Sequence, residues 1–217
     1  MLVKVTGHSV DRSREGEAGE PLALHTDLGD IPVALHRVER PVGGVVWVYG
    51  AWGGLDGPAD GIYPVLAEDL AGDGVASLRV DYRRPGNLDE SVLDTLAGVS
   101  FLSSLGCGPV ALVGHSFGGA VVISAAPQSA EVKAVVTLSS QTAGAQGAAL
   151  VSPRPLLLVH GGADRHLPPR CSEFIHEWAG APKELVIYPG ATHSLWQRKD
   201  ELRALLWGWL VRTLATP

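Results

Sequence analysis

The stretch Val110-Ala-Leu-Val-Gly-His-Ser-Phe-Gly-Gly-Ala120 decides the fold. Residues 110–113 are apolar, and a short apolar run with no polar break reads as a strand buried on both faces. Gly114-His115-Ser116-Phe117-Gly118 then spells G-x-S-x-G. Beyond Gly119, the run Ala120-Val-Val-Ile-Ser-Ala-Ala126 is able to open a helix. Strand, tight turn and helix form the context in which this pentapeptide displays a serine for nucleophilic attack. The turn demands strained backbone at Ser116. It also packs the residues on either side so closely that side chains are excluded, which Gly114 and Gly118 satisfy. Gly119 is expected to let the helix approach the sheet. The helix N-terminus beneath Ser116 favours developing negative charge.

Working outward, residues 45–49, 75–80, 132–138, 155–159 and 184–188 are further strand-like runs. Apolar residues recur at helical spacing over 62–71, 88–105 and 196–214, and 170–178 reads as a fourth helix. Residues 139–153 form a connection of small residues. Strands alternating with helices predict an α/β fold. Its central sheet is mostly parallel, with right-handed crossovers and helices on both faces. In such a sheet, ligands sit at the carboxyl ends of the strands.

The N-terminal part differs. Residues 2–10 read as a strand and 11–21 as a charged loop. Residues 22–26 and 31–38 read as an antiparallel hairpin at one edge of the sheet. This part is expected to be decoration, remote from substrate.

Composition bounds the function. The 217 residues suit one domain spanning 1–217 with a full core. The net charge of −6 is spread without blocks, which leaves no footprint for nucleic acid or an anionic membrane. No apolar run is long enough to span a bilayer. The first twenty residues carry seven charges and do not read as a secretory signal. Cys107 and Cys171 do not make a disulfide framework, so a cytoplasmic location is the expectation. No His-Glu-x-x-His or Cys-x-x-Cys occurs, and neither a metal nor another cofactor is implied.

Three predicted strand ends carry a reactive residue, in the order Ser116, Asp164, His193. A serine hydroxyl is a poor nucleophile at neutral pH and needs a base, and a neutral imidazole suits that task. The imidazole in turn needs a carboxylate to fix its tautomer and to steady its charged form. Asp81, at the end of an earlier strand, is the rival acid. His115 is expected to pack beneath the turn rather than to take part in chemistry.

The chain resembles the α/β-hydrolase superfamily over residues 20–215. The resemblance rests on Tyr49-Gly-Ala-Trp-Gly-Gly54, the turn from Gly114 to Gly119, His160-Gly-Gly-Ala-Asp164 continuing to Pro168, and Gly190-Ala-Thr-His193. The order serine, acid, histidine is that superfamily's. The compact form is similar to its dienelactone-hydrolase-like and carboxylesterase or thioesterase branches. The loop opens Tyr-Gly where the family often has His-Gly. The resemblance implies a catalytic triad of Ser116, Asp164 and His193. It implies an oxyanion hole from the backbone N–H of Phe117 and of Ala51, with Trp52 the alternative to Ala51. Trp52, Leu195 and Trp196 are candidates to line the acyl pocket.

Many relatives insert a helical lid after the strand at 132–138. Here only residues 141–154 precede the next strand, too few for a lid domain. The implied reaction is hydrolysis of a small-molecule carboxylic ester, with thioesters as a further acyl donor. A peptidase, an acyltransferase, a cofactor-free perhydrolase and a non-catalytic ligand binder are rival uses of the same scaffold.

Overall fold

The computed structural model describes residues 3–215. Leu2, the first residue of the predicted N-terminal strand, lies outside them. Nine strands form one sheet in the order β1-β2-β3-β5-β4-β6-β7-β8-β9. The strands are β1 (Val5–Val10), β2 (Glu20–Thr26), β3 (Ile31–His36), β4 (Gly43–Val48) and β5 (Val75–Val80). They continue with β6 (Val110–His115), β7 (Val132–Leu138), β8 (Leu156–Gly161) and β9 (Lys183–Tyr188). Pairing is antiparallel from β1 through β3 to β5, and parallel from β5 through β4 to β9.

The parallel centre is buried because its strands carry apolar residues on both sides. Successive side chains of a strand point to opposite faces. Val46, Val48, Leu112, Leu156 and Leu158 therefore enter one core, with residues of α2 (Leu88–Ser104), α3 (Phe117–Ala125) and α4 (Arg170–Trp178). Val45, Trp47, Ala111, Val113, Leu157 and Val159 enter the other, with α1 (Pro58–Gly72) and α5 (Lys199–Leu214). Each such valine or leucine contributes about 1.5–3 kcal/mol by leaving water. Among the described residues, no helix is long and apolar enough to cross a membrane.

Several boundaries differ from the sequence reading, each for a local reason. Helix α3 starts at Phe117, three residues early, because the turn itself supplies the first helical residues. The predicted helix over 196–214 divides into a 3-10 turn, Trp196–Arg198, and α5. Helix α1 contains an unusual turn just after its first residue. Ala59, Asp60 and Gly61 have φ of 52°, 57° and 76°, so three residues in a row are left-handed. The two that are not glycine each cost about 1–2 kcal/mol. The Ala59 N–H donates to the Ser194 carbonyl at 2.8 Å, tying this turn to the loop after β9.

Candidate active site

Three strand ends converge. Ser116 follows β6 with φ 57° and ψ −116°, the strained conformation that the turn requires. A Cβ on Gly114 would strike the Gly118 carbonyl, and one on Gly118 would strike the carbonyls of Val48 and Tyr49. Both glycines are thus dictated by close backbone approach. Gly119 is dictated by something else: a Cβ there would strike Ser140, in the loop after β7, rather than the sheet. The Ser116 N–H donates to the Leu138 carbonyl at 2.8 Å. Phe117 is the first residue of α3, where the N–H has no partner within the helix.

Asp164 lies in the loop after β8, and its side chain is fully buried. Its two oxygens divide the work. Oδ1 accepts the N–H groups of His166 at 2.8 Å and Leu167 at 2.9 Å, which folds the loop back on itself. Oδ2 accepts the Nδ1–H of His193 at 2.7 Å. Burial pushes the Asp164 carboxyl up. The bonds from His193 and the two amides outweigh it and hold the group below its ordinary 3.8. Asp164 is therefore a carboxylate at neutral pH, and His193 is fixed with Nε2 as its free nitrogen.

Beneath this pair sits His160, wholly buried. Its Nε2 faces the Leu167 carbonyl at 3.0 Å and Asp164 Oδ2 at 3.3 Å, both acceptors, so Nε2 carries the proton. Its Nδ1 accepts from the Ser172 hydroxyl at 2.6 Å. Burial lowers its pKa and keeps the ring neutral.

His193 is gripped from both sides through consecutive carbonyls. His115 Nε2–H donates to the His193 carbonyl at 3.0 Å. The next carbonyl, of Ser194, takes the Ala59 amide. His115 is 4% exposed, and its ring lies 4.8 Å from that of His193 and 5.2 Å from Tyr49. Burial drives its pKa to about 3, and its Nδ1 has no partner among the described residues.

Ser116 and His193 line one pocket of about 180 Å³, with Tyr49, Gly50, Ala51, Trp52, Gly53, His115 and His166. No hydrogen bond joins the Ser116 hydroxyl to His193 among the described residues. Such bonds often tighten only with substrate in place. A Cβ on Gly50 would stand 3.8 Å from that of Ser116, so the loop after β4 lies directly against the serine. The N–H groups of Ala51 and Trp52, on that loop, find no acceptor among the described residues.

Of the pocket candidates, Trp52 lines the cavity and is 96% exposed. Leu195 does not line it. It takes a left-handed φ of 60°, which turns its side chain into the core beside α1 and α5. Trp196 begins the following 3-10 turn, 56% exposed and outside the pocket lining. His166 was not singled out by the sequence, yet its ring stands 4.9 Å from that of His193 at the pocket wall. Its place two residues after Asp164 was the available clue. The rival acid Asp81 is engaged elsewhere, by Arg14 at 2.7 Å and by the Gly54 amide at 2.8 Å.

The sequence model of the dienelactone hydrolase family matches residues 80–206, more than half of the chain. The chain belongs to the dienelactone hydrolase family. Within that hydrolase family, the matched segment contains Ser116, Asp164 and His193. No curated protein matches the chain in sequence. Solved structures match its fold. Est1E from Butyrivibrio proteoclasticus superposes with a TM-score of 0.76 at 19% identity, covering 90% of this chain and 99% of that one. A dienelactone hydrolase from Anabaena variabilis gives 0.76 at 18% identity, over 97% and 99%. An alpha-beta serine hydrolase homologue from Coxiella burnetii gives 0.75 at 22%, over 89% and 98%. This family member therefore has the α/β-hydrolase fold, and no helical lid interrupts the sheet between β7 and β8.

Proposed function

We propose that this chain is a serine hydrolase of small carboxylic esters, working through an acyl-enzyme on Ser116. The observation that carries the reading is the His193 Nδ1–Asp164 Oδ2 bond at 2.7 Å, which leaves Nε2 as the base in the pocket that Ser116 lines.

Ser116 Oγ attacks the ester carbonyl carbon while His193 Nε2 takes its proton. Asp164 steadies the imidazolium that forms. The negative charge on the former carbonyl oxygen is held by the N–H groups of Phe117 and Ala51. Donors of that kind are worth roughly 3 kcal/mol each in the transition state. The tetrahedral intermediate collapses, and the departing alkoxide collects the proton from His193. Water, activated by the same nitrogen, then attacks the acyl carbon and frees the acid and Ser116.

The pocket supports small substrates. Its 180 Å³ is below the 300 Å³ or so of a typical drug-sized site. Two solved neighbours carry ester-cleaving names, the esterase domain of a Rhodothermus marinus protein and a Paleococcus ferrophilus monoacylglycerol lipase. The test is hydrolysis of p-nitrophenyl acetate and butyrate, beside the matching thioesters. Wild-type protein turns the esters over and Ser116→Ala does not. Equal turnover by Ser116→Ala would refute the reading.

A further inference from the structure

Between β1 and β2 the chain makes an excursion over residues 11–19. It is built rather than loose. The Asp11 carboxylate accepts from the Ser13 N–H at 3.1 Å and the Ser13 hydroxyl at 2.6 Å, and caps the 3-10 turn Arg12–Arg14. The Asp11 N–H donates to the Pro21 carbonyl at 2.9 Å, which closes the base of the excursion.

Two arginines connect it to the loop after β4. Arg14 Nη2 meets Asp81 Oδ2 at 2.7 Å, and Asp81 Oδ1 accepts the Gly54 N–H at 2.8 Å. Arg79, wholly buried on β5, donates from Nη2 to the Ala18 carbonyl and from Nη1 to the Leu55 carbonyl at 3.2 Å. Gly53, with φ 72°, lets the loop pass Asp81: a Cβ there would stand 2.6 Å from Asp81 Oδ1. The same loop lines the pocket beside Ser116 with Gly50, Ala51, Trp52 and Gly53. So the loop is held by charge and hydrogen bonds at Gly54 and Leu55, and the residues just before them, Gly50 to Gly53, line the pocket.

We infer that Arg14 and Asp81 are positioning residues for the oxyanion loop, and that the excursion 11–19 serves catalysis by anchoring Arg14. The inference rests on the proposed acyl-enzyme reading. An oxyanion donor is useful only where the charge develops, and a misplacement of about 1 Å costs up to 100-fold in rate. A charged, partly buried bridge to Gly54 restrains the loop that carries the Ala51 amide without touching substrate. Removing the bridge should therefore weaken transition-state binding far more than ground-state binding.

The experiment is steady-state hydrolysis of p-nitrophenyl acetate by Arg14→Gln, Asp81→Asn and the double variant, beside Ser116→Ala. Affinity for a boronic acid that mimics the oxyanion, and the unfolding temperature, are measured in parallel. Each single variant should lower kcat about tenfold with KM within about twofold, and weaken the boronic acid by a similar factor. The double variant should lose no more than the worse single one, because the two residues act as one chain. Arg14→Lys should recover part of the loss. Wild-type kcat and boronic acid affinity in Arg14→Gln would overturn the inference, as would losses that multiply in the double variant. Were a single variant to unfold, Arg14→Lys and boronic acid binding at lower temperature would decide by the same criteria. Retained turnover in Ser116→Ala would instead remove the underlying reading, so the two failures are distinguishable.

Discussion

His115 Nε2 donates to the backbone carbonyl of His193 at 3.0 Å. The residue before the candidate nucleophile thus holds the main chain of the candidate base. Its ring is buried, and among the described residues no other hydrogen bond reaches that carbonyl. Replacing His115 by Phe keeps a ring and removes the donor. We expect a loss of about 1–3 kcal/mol in unfolding free energy, from the orphaned carbonyl. The kcat for ester hydrolysis should fall by about tenfold as His193 drifts. Denaturant melts and steady-state kinetics on the same preparation check both.

Stability should fall as the pH drops below the ordinary histidine value. The folded pKa of His115 is depressed to about 3 and that of His36 to about 4, both chiefly by burial, against an ordinary 6.5. Between those folded values and 6.5 the unfolded chain binds more protons than the native one. Stability therefore rises with pH through that window and is lost as pH falls. Each histidine contributes a slope of about 1.4 kcal/mol per pH unit. Asp164 has the opposite charge and a depressed pKa, so its contribution is present above pH 4 and disappears only below it. Urea melts at pH 7, 6 and 5 should show the decline, and His36→Gln should flatten it.

The glycines of the turn admit no side chain. Gly114→Ala would place a methyl against the Gly118 carbonyl, between two backbones that cannot part without opening β6 from α3. We expect about 3 kcal/mol or more of destabilisation, or no soluble protein. A Gly114→Ala protein with a wild-type melting curve would contradict the packing described.

Asp60 offers a gain. It is exposed, its φ is 57°, and its carboxylate makes only a loose pair with Lys199 at 3.5 Å. Asp60→Gly relieves the left-handed strain and should raise stability by about 1 kcal/mol. Surface pairs of this kind are worth little, so their loss does not cancel the gain. Thermal unfolding of the variant is the check.

Much of this was legible because burial writes itself into sequence. The ranges of β5 and β7 follow directly from apolar runs, since both faces of the central sheet are covered. The order Ser116, Asp164, His193 was legible because each follows the end of a strand; the structure brings Asp164 and His193 into contact, and Ser116 and His193 line the same pocket. What was not legible lies in contacts between distant segments. Leu195 reads as a pocket residue beside His193, but one left-handed φ sends it into the core. Arg14 and Asp81 lie 67 residues apart, and no periodicity announces that they meet. The turn at Ala59 breaks local propensity, and its tertiary contacts, the Ala59 bond to Ser194 and the Lys199 bond to the Asp60 carbonyl, give it sense.

In the proposed reaction Ser116 becomes acylated. Mixing the enzyme with p-nitrophenyl acetate, quenching in acid within the first turnovers and mapping peptides by mass spectrometry tests it. One acetyl group should appear on the peptide bearing Ser116, be released on further incubation and not form in Ser116→Ala. Steady release of p-nitrophenol with Ser116 unmodified, or with the acetyl group on another residue, would contradict it.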